Sequence, residues 1–447
     1  SSHAKAGSSM TAALTDVPAH VPSECVWNNN LAAFLHQGDD PHISAARLHD
    51  GPGIIWVPGA AHGRPAWIFT QHDLIAEGFF NWQAFSSKRG SNAAVMDSNW
   101  LLLPVEADRP EHHHYRNVLT PLFTPSAVNR RASAVQSLCD ELVDGFVENG
   151  RCDFVAEFAN ILPNAIVISL LGLPNDALPQ FLDWEDELIH GETPEACFAA
   201  GQAIIDYLKR HIADQQSRPQ ASTDVMQAIL SGHMGARPFT DAEILGFVYL
   251  LFVAGLDTVT STLGWIMRHL AGDQALQARL RERPHEIPAA VEEFTRAFGV
   301  SAPSRTVAHD MEFHGVSMKA GEAVLLPTYL AGRDPRVWQS PHTIDIDRRP
   351  RHITFGTGPH VCLGVHLAKR EMKVMLETFL GRMKNIRRPS GGRYEYHTSN
   401  TIGVDVLDGA ICTAFNHKVV KELIAQGSEG QFLGEGGIAL VQLGTSQ

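Results

Sequence analysis

A mainly α-helical domain with small β-sheets, built around one long central helix, is the fold class this sequence predicts, and three observations predict it. From about Pro125 to Phe298 apolar residues recur with helical periodicity, and Gly or Pro seldom falls inside a periodic run. Within that stretch Thr240-Asp-Ala-Glu243 reads as a capping box, followed by apolar residues to about Leu270; roughly thirty residues at 1.5 Å each make a rod of about 45 Å. Short β-type runs flank the helical region: Gly53 to Val57 and Ala66 to Phe69 before it, Met311 to Met318 and Ala323 to Leu326 after it.

In chain order, residues 1–10 are small and polar and read as a disordered leader or an expression remnant. Thr11 to Asp108 mixes short strands with Pro and Gly, and the helical bulk follows. Val300 to Pro350 turns loop- and strand-rich, and helix returns from Val365 to Met383. No repeat or low-complexity linker divides the chain, so residues 11–415 are expected to form one domain. Residues 416–447 are Gly-rich without helical period, an atypical tail to which the sequence assigns no role.

Composition excludes some functions. A net charge of −13 argues against a nucleic-acid binder, which needs a dense basic surface. No stretch reads as the roughly 20 apolar residues that span a bilayer, and no signal-peptide pattern opens the chain; a cytoplasmic protein without a membrane segment is the expectation. Six cysteines, at 25, 139, 152, 197, 362 and 412, form no C-x-x-C pair, so five read as buried thiols.

Cys362 differs because of its neighbours. Phe355-Gly-Thr-Gly-Pro-His-Val-Cys-Leu-Gly364 sets it in a glycine-bracketed loop just before a helix. Unpaired N–H groups at that helix end are expected to lower its pKa and favour the thiolate, the form an iron porphyrin requires. The loop resembles the signature of the cytochrome P-450 family, matched here at Phe355, Gly358, Cys362 and Gly364. The resemblance implies that fold, with the long helix crossing a buried haem b (iron protoporphyrin IX) ligated by Cys362. It also implies that Phe355 shields the sulfur and His360 bonds a propionate.

In the central helix Ala254-Gly-Leu-Asp-Thr258 interrupts the apolar run with a glycine and a charge, both unfavourable in a buried helix. A capping Asp or a back-bonding hydroxyl is the bland reading. The family pattern it resembles implies that Ala254 and Gly255 open a groove for dioxygen over the haem, while Asp257 and Thr258 relay protons. Asp108-Arg-Pro-Glu-His-His-His-Tyr-Arg116 resembles a family segment that brings His112 and Arg116 to a propionate, with Arg109 where Pro is usual. Arg305 resembles the arginine of the other propionate. Adjacent residues on a helix point about 100° apart, so His112 to His114 are not expected to converge on one ion. Glu293 and Arg296 are expected to pair structurally, joined by Arg348 or Arg349.

Six Lys or Arg residues against one acid, Glu371, between Arg348 and Lys373 suggest a basic face for a ferredoxin. No Gly-x-Gly-x-x-Gly unit marks a flavin or nicotinamide domain, so electrons are expected from that ferredoxin and its NAD(P)H-dependent reductase. From about Pro41 to Leu407 the chain is similar to soluble bacterial camphor-hydroxylating enzymes, notably at Glu312 to Gly315 and Leu363 to Glu371. That likeness places Trp100, Leu250, Val253, Ser301 and Ile402 at the walls of a pocket for a small apolar substrate, a terpenoid or aromatic hydrocarbon. The implied activity is a monooxygenase using dioxygen. A peroxide-driven peroxygenase and a haem sensor are the alternatives; the first typically lacks the Asp-Thr pair and the second usually carries a signalling module.

Overall fold

The computed structural model describes residues 17–61, 63–88, 100–191, 193–398, 401–408, 413–414, 433–434 and 437–438. The expected leader at 1–10 and most of the tail from 416 lie outside the described residues.

The helix that begins at Asp241 runs to Gly272, about 48 Å at 1.5 Å per residue. Its capping box forms as expected: the Thr240 hydroxyl accepts from the Glu243 amide, and the Glu243 carboxylate accepts from the Thr240 amide at 2.7 Å. By length and composition this helix is apolar enough to cross a membrane, contrary to the expectation that no stretch is; most of its apolar window is buried, and it packs as a core helix. Helices Ile161–Leu171 and Pro194–Ser217 lie against it. The helical region is less uniform than its periodicity suggests, because a short hairpin, His233–Met234 with Arg237–Pro238, interrupts it just before Thr240.

The expected strands form a five-stranded sheet. Ile54–Ala61 pairs antiparallel with Arg64–Phe69, which runs parallel to Ala323–Leu325; Ser304–Val307 then lies between Ala323–Leu325 and Phe85–Ser86. Arg305 is thereby held rigidly in a sheet. Helix His72–Phe80 leads from this sheet to the cysteine loop, burying Leu74, Ile75 and Phe79. A second hairpin, Tyr394–Thr398 with Ile402–Leu407, packs on the central helix, where the Trp265 indole donates to the Ile402 carbonyl at 2.9 Å.

Glu293 and Arg296, on helix Ile287–Ala297, are fully buried and pair at 2.8 Å in two places. Of the two expected partners Arg348 is the one that joins, donating to Glu293 at 3.1 Å and to the carbonyls of Gln339, Ser340 and Thr343. Arg296 spends its remaining donors on the carbonyls of Gly332, Pro341 and Thr343. Every charge here has a partner, which is the condition for tolerating buried ions.

Candidate functional site

The cysteine loop is closed by its own backbone. The Cys362 amide donates to the Phe355 carbonyl and the Gly356 amide to Ile353, both at 2.8 Å. Gly356 and Gly358 both take φ of 71°, a left-handed conformation that only glycine adopts without strain. A Cβ on Gly358 would also stand 3.1 Å from the Phe79 carbonyl, so glycine lets the loop lie on helix His72–Phe80. Gly364 caps helix Val365–Arg382, and Lys369 lies over the Phe355 ring at 5.5 Å.

The Cys362 side chain is accessible, yet burial is the largest influence on its thiol, so the sulfur lines an interior surface. Burial pushes the thiol pKa up; the Gly364 amide and the charge of Arg116 pull it down without prevailing. The helix-end amide acts in the expected direction, and burial outweighs it. A directly bound cation is what would complete the deprotonation.

Beside the sulfur the propionate candidates converge. The rings of His112 and His360 lie 4.1 Å apart. Arg305, buried, stacks over Phe79 at 5.5 Å and donates to the Ser304 carbonyl at 2.8 Å. His112 is pushed down to about 4 by burial and by the charges of Arg116 and Arg109. His360 is driven far down by burial and by Arg305, His112 and Arg116, and burial lowers Arg305 to about 10. The cluster therefore repels itself, and the buried His112 Nε2 has no hydrogen-bond partner. Asp108 exerts a pull on Arg305, but its carboxylate accepts from Ser86 and from the Ser87 amide. His113 and His114 are exposed, and among the described residues no group of three His, Cys, Asp or Glu is placed to hold a metal ion.

The central helix carries a second interior surface. Between Ile244 and Met267 every residue that keeps appreciable accessible surface falls between Leu250 and Thr258, and Ala254 alone is exposed. Leu250, Val253, Ala254, Asp257 and Thr258 recur at spacings of three and four, one helix face. Gly255 has a packing task besides the one the resemblance implied. A Cβ there would meet Val167 Cγ2 at 2.4 Å, so the glycine admits helix Ile161–Leu171, and the small residue on the accessible face is Ala254. The Thr258 hydroxyl donates to the Ala254 carbonyl at 3.0 Å, the back-bond of the bland reading, which leaves its oxygen able to accept.

Asp257 has partners the sequence did not suggest. Its carboxylate accepts from the hydroxyls of Ser261, at 2.9 Å, and Thr401, and His397 Nε2 stands 3.7 Å away. Burial pushes the Asp257 carboxyl up, but His397, Thr401 and Ser261 outweigh it and hold it below the usual carboxylate range.

The expected pocket residues fall into two groups. Trp100 packs edge-on against Tyr249 at 5.3 Å, beside Leu250 and Val253 on the helix. Ser301 bridges Thr401 and keeps its hydroxyl within 3.5 Å of Thr328, while Ile402 is buried with its amide on the Val300 carbonyl. The second group borders the Asp257 turn through Thr401, and the first lies about two turns earlier on the same helix. The basic face is narrower than the charge count suggests: Arg348 is held by Glu293, Lys369 by Glu292 at 2.7 Å and Lys373 by Glu377 at 3.3 Å. Arg370 bonds Asn129, which leaves Arg349 and Arg351 as the exposed pair.

These residues fit an iron porphyrin. One interior sulfur offers an axial ligand, and a buried cluster of cationic and imidazole groups with an orphaned nitrogen offers a seat for two carboxylates. Comparison with known proteins agrees. The family model "Cytochrome P-450" matches residues 174–386. A probable cytochrome P-450 127A1 of Sinorhizobium fredii is 31% identical over 87% of this chain and 95% of its own length. A steroid C26-monooxygenase of Mycobacterium tuberculosis is 30% identical over 66% of this chain and 82% of its own. Among solved structures, cytochrome P-450 CYP101C1 superposes with a TM-score of 0.79 at 30% identity, over 88% of this chain and 99% of that one.

Proposed function

The chain belongs to the cytochrome P-450 family and is a haem b monooxygenase, and from that premise we propose that it hydroxylates a small apolar substrate with electrons from a separate ferredoxin. The observation that carries the reading is the accessible patch Leu250–Thr258 in the middle of an otherwise buried helix, apolar on one part and acid-alcohol on the other. Cys362 would hold the iron, while Arg116, Arg305, His112 and His360 would hold the propionates. When bound, the haem supplies reductive activation of dioxygen and transfer of one oxygen atom to a C–H bond.

The protein's part is positioning and proton management. Trp100, Leu250 and Val253 would present an apolar wall to a compact terpenoid or aromatic hydrocarbon, excluding water from the reacting centre. The Thr258 oxygen, its proton held on the Ala254 carbonyl, can accept a hydrogen bond from a group above the helix. Asp257, one residue earlier, is the nearest carboxylate able to pass a proton to that turn. Exposed Arg349 and Arg351, close in sequence to the cysteine loop, favour an acidic ferredoxin by charge complementarity. A cytoplasmic location goes with such a partner in this reading.

The test is turnover of a panel of terpenoids and aromatics with ferredoxin, reductase and isotopically labelled dioxygen. The reading expects product carrying one labelled oxygen atom and no turnover without ferredoxin. Equal turnover from hydrogen peroxide alone would establish the peroxygenase instead.

A further inference from the structure

Asp257 does not end its hydrogen-bonded chain. His397 Nε2 lies 3.0 Å from the Thr401 hydroxyl, which itself donates to Asp257, and His397 Nδ1 lies 2.5 Å from Asp405. The Asp405 side chain keeps 26% of its surface, against 11% for His397 and 18% for Asp257. A Cβ on Gly403 would meet His397 Cε1 at 2.3 Å and Ser261 Oγ at 2.4 Å, so the hairpin register presses the imidazole onto the central helix.

Building on the monooxygenase reading, we propose that Asp405, His397 and Thr401 form a proton-supply line that reloads Asp257 from solvent. The step balances by exchange. His397 Nε2–H passes its proton to the Thr401 oxygen as the Thr401 proton moves to Asp257 Oδ2. Neutral His397 keeps its proton at Nδ1; a flip of the ring carries that N–H to the Thr401 side, and the bare nitrogen then facing Asp405 takes up a proton from solvent. His397 is a positioning and supply residue, since it reaches the site only through Thr401 and Asp257.

Charge supports the geometry. Burial lowers the imidazole pKa, but Asp257 and Asp405 outweigh it and raise His397 to about 10, so it is protonated at neutral pH beside an ionised Asp257, and its proton moves along the line only when a more basic group above the helix draws on Asp257. Other charged groups near the hairpin point elsewhere. Glu157, on the packed turn Val155–Ala159, is exposed and accepts from the Asp153 amide at 2.7 Å. His36 bonds Thr398 and the Tyr396 carbonyl.

The experiment uses the haem-loaded, ferrous carbonyl-bound enzyme for imidazole-nitrogen NMR and the reconstituted enzyme for turnover. His397 should carry protons on both nitrogens at about pH 8, where an ordinary histidine of pKa about 6.5 is neutral; Asp405→Asn should move its titration down. A positioned proton-transfer group is worth on the order of a hundredfold in rate, so Thr401→Val, which removes the hydroxyl while keeping the volume, should lower product per reductant consumed by about tenfold. Its solvent isotope effect should change with it, and the alkaline fall in parent coupling, set by His397 deprotonation, should shift in Asp405→Asn. A neutral His397 at about pH 8, or parent-like coupling and isotope effect in Thr401→Val, overturns the supply line while the haem reading stands. A parent chain with no haem-carbonyl band sinks the haem reading, and the supply line with it.

Discussion

Two charge clusters lie within the fold, and they are built in opposite ways. Glu293, Arg296 and Arg348 form a closed set in which both signs are present and the remaining guanidinium donors reach backbone carbonyls. His112, Arg116, Arg305 and His360 form a set whose charges are all positive, in which Arg116 lowers both histidines, Arg305 and His112 lower His360, and the His112 Nε2 is orphaned. A closed set holds a fold together. Arginines set beside imidazoles that they and burial keep neutral oppose folding unless something of opposite charge binds there, so an unmatched positive cluster inside a protein marks a ligand seat.

That contrast can be broken by substitution. Glu293→Gln leaves Arg296 buried without its counter-ion, a loss expected to be about 3–5 kcal/mol; the urea midpoint should fall sharply, with soluble yield. Arg305→Leu should do the reverse, removing a repulsive buried charge and leaving the urea midpoint of the haem-free chain unchanged or higher. Loss of haem to a scavenger should quicken by roughly tenfold or more, since a hydrogen bond to a charged group is worth about 1.5–3 kcal/mol. If Arg305→Leu destabilised the haem-free chain as much as Glu293→Gln, the two clusters would be of one kind.

What could be read in the sequence follows the same division. The cysteine loop, the capping box at Thr240 and the Glu293–Arg296 pair are spelled by residues within ten positions of one another, and each forms as expected. Arg305 and His112 were reachable only through resemblance, because a sheet and a helix far apart in the chain bring them together. Ser261, one helical turn on, was within reach of helix spacing, but the distant partners of Asp257 were not legible: Thr401 lies 144 positions away, and its contact depends on hairpin register. The packing task of Gly255 was hidden for a related reason, since its neighbour Val167 belongs to another helix. Charge balance within one stretch likewise overstates the basic face, because Glu292 and Glu377, which hold Lys369 and Lys373, both lie outside Arg348 to Lys373.

The central claim is that Cys362 supplies the iron ligand while the one-signed cluster supplies the seat. The most direct measurement is the reduced, carbonyl-bound absorption spectrum of the parent beside Cys362→Ser. The parent should show the red-shifted Soret band of a thiolate-ligated haem, and the variant should lose that band while still retaining haem through Arg116 and Arg305. A Cys362→Ser protein that kept the thiolate band would contradict the account.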